Sequence, residues 1–111
     1  MIYDMRIYTA TPGQETALKE RFVRVVMPIF ERTGIEVVSV FETQEEAPRL
    51  IYTTRFENEE ERERAWAAFK IDPEWIEAKA LSEKNGPLLQ KQDVFPLRAV
   101  PVENINTSEN S

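Results

Sequence analysis

The chain opens on an alternation: between Ile2 and Thr9, Tyr3, Met5 and Ile7 fall on one side of an extended backbone and Ile2, Asp4, Arg6 and Tyr8 on the other. This predicts a first strand. After the turn Thr11-Pro12-Gly13, the residues Leu18, Phe22, Val25, Val26, Ile29 and Phe30 recur at helical spacing, and Gly34 stands where a left-handed residue ends such a helix. Pro28 lies inside that stripe and has no amide to donate. It predicts a kinked or loosened last turn and a freed carbonyl near Arg24. Ile35 to Phe41, IEVVSVF, is β-branched and apolar on both faces, and Arg49 to Phe56 follows the turn Glu45-Glu46-Ala47-Pro48 as the second strand of a hairpin.

Arg62 to Trp75, RERAWAAFKIDPEW, is the most distinctive run. Asn58 followed by Glu61 reads as a capping box that starts a helix at Glu59. Ala65, Trp66 and Phe69 share one face of it, while Glu60 and Arg64 are spaced for an i,i+4 ion pair on the other. Asp72-Pro73 then breaks the helix and opens a second one, with Asp as N-cap and Pro at the first helical position. The junction near Ile71 should bring Trp66, Phe69, Trp75 and Ile76 together. That cluster reads as hydrophobic core, or as core with one indole lining a ligand pocket.

Asn85-Gly86-Pro87 stops the second helix, and a last strand is expected near Gln92 to Val100, with Pro96 marking an edge or a bulge. The order β-α-β-β-α-β is that of the ferredoxin-like split βαβ, an α+β fold with an antiparallel four-stranded sheet ordered 4-1-3-2 and helices on one face. The bare face would carry either Tyr3, Met5 and Ile7 or Ile2, Asp4, Arg6 and Tyr8. An uncovered apolar face beside an apolar edge strand calls for a second copy, and two sheets packed face to face would form a dimeric α+β barrel. Residues 1–100 are read as the domain. The tail 101–111, PVENINTSENS, has too little apolar content to pack, and its Asn106-Thr107-Ser108 sequon is read as coincidence.

At 111 residues the chain suffices for one domain burying roughly two thirds of its unfolded surface. It has no cysteine and no histidine, which excludes disulfides, thiolate nucleophiles, Ser-His-Asp chemistry and His-ligated metals or haem. Carboxylates, Tyr and Lys are the remaining proton carriers. Twenty acidic against fourteen basic residues, a net charge of −6, argue against a nucleic-acid partner. No apolar run approaches the ~20 residues of a membrane span, and MIYDMRIYT lacks the regions of a signal peptide, so a soluble, cytoplasmic protein is expected. No metal-ligand spacing or glycine-rich phosphate loop is visible, and no cofactor is expected.

Taken together, IYDMRIYT-x-x-PG, the Gly34-Ile35 step, the ERERAWAAF run and Asp72-Pro73-Glu74-Trp75 resemble the NIPSNAP family, a branch of the dimeric α+β barrel superfamily. The likeness runs from about Met1 to Arg98; the tail departs from it. It implies the fold and a homodimer and supplies little mechanism.

Candidate chemistry centres on β-strand positions. Arg6 and Tyr8 share one face, and the third strand adds Tyr52 or Arg55 according to register. The plain reading is an Arg6–Asp4 or Arg6–Glu pair and a tyrosine bonded to backbone. The functional reading is an arginine that orients a small carboxylate or carbonyl ligand, with Tyr8 as proton donor in a pocket closed by Trp66 and Trp75. Glu57 to Glu63 read as a solvated helix face. Two function classes follow: a homodimer that binds a small molecule or a protein partner, and a cofactor-free enzyme of the monooxygenase, isomerase or decarboxylase kind. The absence of histidine weakens the second.

Overall fold

The computed structural model describes residues 1–102, so the expectations for the tail beyond Val102, the sequon included, lie outside the described residues. Strand β1 (Ile2–Ala10) is central, antiparallel to β3 (Leu50–Phe56) on one side and to β4 (Leu89–Leu97) on the other; β2 (Glu36–Glu42) lies outside β3. The order β2-β3-β1-β4 is the expected one read from the opposite edge. Helices α1 (Glu15–Arg21) and α2 (Met27–Thr33), joined by a π-helical turn at Phe22–Val26, and helices α3 (Glu59–Lys70) and α4 (Pro73–Ser82) supply the helical layer. No helix among the described residues is long and apolar enough to cross a membrane.

The pleat of β3 shows which face is covered: Leu50, Tyr52, Thr54 and Phe56 are buried, and the residues between them are half-exposed. Their cross-strand partners are Tyr8, Arg6, Asp4 and Ile2, so these face the helices. Tyr3, Met5 and Ile7 therefore face away, with Ile51 on β3, Phe41 on β2, and Phe95 and Leu97 on β4. No helix among the described residues covers that face, and Phe41 stays 66% exposed. Under the helices, Phe22, Phe30 and Tyr52 form the centre of the core, with Phe22 and Tyr52 ring centroids 4.7 Å apart.

Local sequence accounts for most element ends. The Gly34 amide and the Ile35 amide both reach the Phe30 carbonyl, with Gly34 at φ 95°, a conformation that a Cβ disfavours. Asp72 caps α4 by accepting from the Glu74 and Trp75 amides at 2.9 and 3.1 Å, and it also pairs with Arg32.

Several expectations need correction. The loosening attributed to Pro28 sits one turn earlier, where the Met27 amide bonds the Phe22 carbonyl five residues back; the helix absorbs the missing proline donor by widening before it. Asn58 caps the Glu61 amide, but the Glu61 carboxylate turns to Arg64 at 2.6 Å, so the box is half-formed and the Glu60–Arg64 pair is absent. Ile76 is 54% exposed rather than part of the aromatic cluster, because α4 lies over the domain on Trp75. Strand β4 begins three residues earlier than expected and ends at Leu97; Pro96 is tolerated because β4 is an edge.

Phe30→Ala should destabilise by about 3–5 kcal/mol and half-buried Trp75→Ala by clearly less, measured by denaturant unfolding. Hydrogen bonding from Arg32, then from the Trp75 and Glu74 amides, holds the Asp72 carboxyl below the usual aspartate range against the opposing effect of burial. A depressed folded pKa stabilises the fold above the unfolded value, ~3.9, and the benefit is lost as pH falls through the folded one. Asp72→Asn keeps a cap oxygen but loses the charge. Its melting temperature should lie below wild type at neutral pH, with the gap closing on acidification.

Candidate functional site

Strand β1 sends three polar side chains, Asp4, Arg6 and Tyr8, under the helices, and each is answered differently. Asp4, 1% exposed, accepts from Arg62 of α3 at 2.9 Å, while Arg62 also holds Glu59 at 2.6 Å. The expected Arg6–Asp4 pair is thus replaced, because α3 brings its own arginine. Arg6 instead lies on Trp66, its guanidinium carbon 4.0 Å from the ring centroid, and donates through Nη1 to Gln92 Oε1 at 3.3 Å. Its Nε and the Trp66 indole N–H are buried without partners, and no carboxylate among the described residues pairs with it.

Tyr8 meets Tyr52 hydroxyl to hydroxyl at 2.6 Å, and Tyr52 is fully buried. Burial raises the Tyr8 pKa, and the Tyr52 hydrogen bond and the Arg6 charge only partly offset it. Burial, and then the neighbouring Tyr8, raise the Tyr52 pKa as well. Both are therefore neutral donors at physiological pH. Of the nearby carboxylates, Glu63 is exposed and has no ion-pair partner among the described residues, whereas Asp4 and Glu59 are engaged by Arg62, and Glu83 by Arg21 at 2.8 Å and Lys79 at 3.1 Å. Although burial opposes its charge, Glu83 is held below the usual glutamate range by these two cations. Arg21 also lies over Trp75 in the first turn of α4, 5.0 Å from its ring centroid, so Arg21 of α1 holds both ends of that helix.

Two hollows lie between the β1–β4 edge and the helices. One, about 370 Å³, is walled by Tyr8, Phe22, Phe69 and Trp75, with Arg21 and Glu83 among its lining residues. The other, about 630 Å³ and more open, surrounds Arg6 and Trp66. Phe69, Lys70 and Gln92 line both. Their meeting point offers two cations without carboxylate partners, Arg6 and Lys70, beside an aromatic wall and a neutral tyrosine donor. Such a place offers an anion two unpaired cations, and the one lining carboxylate without an ion-pair partner among the described residues is Glu63, exposed on α3 at the more open hollow.

Of the residues singled out from sequence, Arg6, Tyr8, Trp66 and Trp75 line these hollows, and Tyr52 lies behind Tyr8. Arg55 does not join them: it sits three residues past Tyr52, on the opposite pleat, where it pairs with Glu36 on the helix-free face. Gln92, Lys70 and Arg21 were missed. Gln92 could have been found by registering β4 against β1, opposite Tyr8; the other two carry no local signal.

The tyrosine pair gives a direct check. In an alkaline absorbance titration, Tyr8 and Tyr52 should ionise above the ordinary tyrosine range, and Tyr8→Phe and Tyr52→Phe should each remove one late-titrating ring. A raised folded pKa stabilises below the unfolded value, ~10, and that contribution disappears as pH rises through the folded one. The wild type should therefore lose more stability between pH 9 and 11, both approximate bounds set by that reference pKa, than a double phenylalanine variant.

The fold recurs in solved structures. A protein from Agrobacterium tumefaciens matches at 17% identity over 90% of this chain and 94% of its own, with a TM-score of 0.77. An uncharacterised NIPSNAP-like domain protein from Burkholderia xenovorans matches at 23% identity over 93% and 86%, TM-score 0.75. A Nitrosomonas europaea protein provisionally named an antibiotic biosynthesis monooxygenase matches at 9% identity over 91% and 100%, TM-score 0.63. At such identities these likenesses establish the fold alone, that of the dimeric α+β barrels. Among curated proteins, none matches the sequence. The NIPSNAP family model, however, matches residues 3–103, nearly the whole chain, and the chain belongs to the NIPSNAP family.

Proposed function

We propose that this NIPSNAP chain acts as a homodimer that binds a small anionic molecule in the cleft between β1, β4 and helices α3 and α4. The observation that carries the binding reading is Arg6. A guanidinium on a central strand, stacked on an indole and donating one long hydrogen bond to Gln92, has its charge unanswered by any carboxylate among the described residues. Buried charge is costly unless paired, and a carboxylate or enolate is the natural complement to that fork. The aromatic hollow beside it suits an apolar body, within the ~300–1,000 Å³ usual for small-molecule sites.

The dimer reading rests on the other face. Tyr3, Met5, Ile7, Phe41, Ile51, Phe95 and Leu97 make an apolar surface with no helix of the described residues over it. A second copy packed sheet to sheet would cover it. Lack of cysteine suits a reducing compartment, and we place the dimer in the cytoplasm. A second reading, cofactor-free catalysis, is favoured by one observation: the neutral Tyr8–Tyr52 pair could protonate or steady a developing oxyanion.

Sedimentation at micromolar concentration should give a dimer, and a folded monomer would refute the first part. Calorimetry with small carboxylates and β-diketones tests the second. Arg6→Met should weaken binding roughly 10–100-fold, the ~1.5–3 kcal/mol of a charge-assisted bond. If no member of the panel binds the wild type, the cleft is not an anion site.

A further inference from the structure

The tyrosine pair has a direction. Tyr52 is fully buried, and its hydroxyl has one partner among the described residues, Tyr8, at 2.6 Å. Were Tyr8 the donor, the Tyr52 O–H would be left buried without an acceptor, the costly outcome for a polar hydrogen. With Tyr52 donating, every group is used: the Tyr8 oxygen accepts from behind, and its own O–H is left to point into the hollow it lines. Accepting one hydrogen bond strengthens the next donation along the chain.

Arg6 stands two residues away on the same face of β1, close enough for its charge to favour the ionised form of Tyr8. Gln92, opposite Tyr8 on β4, holds its guanidinium in that place. We propose that Tyr8 and Arg6 form a two-donor site for one ionised oxygen on an sp² carbon, a phenolate or enolate, with Tyr52 as the buried positioning residue that aims the Tyr8 hydroxyl. The inference rests on the anion-binding reading of the same cleft and names its ligand class.

Three features favour that class. The walls Phe22, Phe69 and Trp75 suit a flat body, and the Tyr8 hydroxyl and the Arg6 guanidinium stand on one face of β1 in adjoining hollows that share Phe69, Lys70 and Gln92. The ligand is also the group that ionises. Burial keeps both tyrosines protonated well beyond the ordinary range, so a phenol or enol of lower pKa yields its proton first. The ligand O–H bond breaks heterolytically, the electron pair stays on the ligand oxygen, and the proton leaves to bulk water through the open mouth; nothing is oxidised. The charged groups around this oxygen are Asp4 and Arg6 from β1, Arg21 from α1, Glu59, Arg62, Glu63 and Lys70 from α3, and Lys79 of α4 with Glu83 at its C-cap. With Asp4, Glu59 and Glu83 already ion-paired and Glu63 exposed at the outer hollow, the unpaired Arg6 and Lys70 tip the balance toward an anion.

The probe is 4-nitrophenol, whose absorbance separates phenol from phenolate, with benzoate as a control. Bound to the full-length protein, nitrophenol should show an apparent pKa lowered by about one unit or more, a tenfold preference for the anion. Arg6→Met and Tyr8→Phe should each shrink that shift, and Tyr52→Phe should shrink it too although Tyr52 touches no ligand. Far-UV circular dichroism checks that each variant is folded, and Tyr8→Phe carries the test should Tyr52→Phe fail to fold. If nitrophenol binds as the neutral phenol, or the shift survives in folded Tyr52→Phe, the oxyanion site is refuted, and benzoate binding then leaves the broader anion reading intact. If neither compound binds, both readings fall.

Discussion

A carboxylate 1% exposed on a central strand sets the terms for the covered side of this domain. Asp4 has to be paired, and the cation that pairs it, Arg62, comes from α3. The consequence extends beyond that pair because helix and strand advance at commensurate rates: four helical residues rise roughly 6 Å, and two strand residues roughly 6.6 Å. With Arg62 fixed over Asp4, Trp66 arrives over Arg6, and Lys70 reaches the hollow beside Tyr8. One ion pair thus sets a register of three contacts. It also removes the nearest carboxylate from Arg6, which is why that guanidinium rests on an indole and an amide.

The two faces of the sheet divide the labour. The alternation of β1 sends Asp4, Arg6 and Tyr8 one way and Tyr3, Met5 and Ile7 the other, so a single strand supplies both the polar cleft and the middle of the apolar face. Substitutions at odd and even positions of β1 therefore act on different properties. Arg55 illustrates the rule: only three residues from Tyr52, it belongs to the other side and pairs with Glu36.

What was legible in the sequence was local. Gly34, the Asp72-Pro73 break and the order of elements depend on residues that bond within a few positions, and each falls where its pattern predicts. The misreadings share a cause in partner choice. Glu61 could cap or pair and chose Arg64; Pro28 could bend its own turn but loosened the one before. The site residues missed, Gln92, Lys70 and Arg21, come from three elements far apart in the chain, and only sheet register and helix placement assemble them. Sequence alone offered Arg6 an Asp4 two residues away, and nothing in it revealed that Arg62, 58 residues on, would take that carboxylate.

The cleft must also work against the charge of its own protein. At a net −6 the molecule offers no long-range attraction to an anion, so encounter gains little from steering and affinity has to arise on contact. At short range the balance reverses, since Asp4 and Glu83 are tied up while Arg6 and Lys70 are not. Stacking on Trp66 keeps Arg6 partly dry, which strengthens any bond it makes, and Gln92 holds it without neutralising it. A carboxylate in place of Gln92 would satisfy the guanidinium and close the site. The neutral amide at that position thus leaves the guanidinium without a built-in counter-charge, on which the proposed anion site depends.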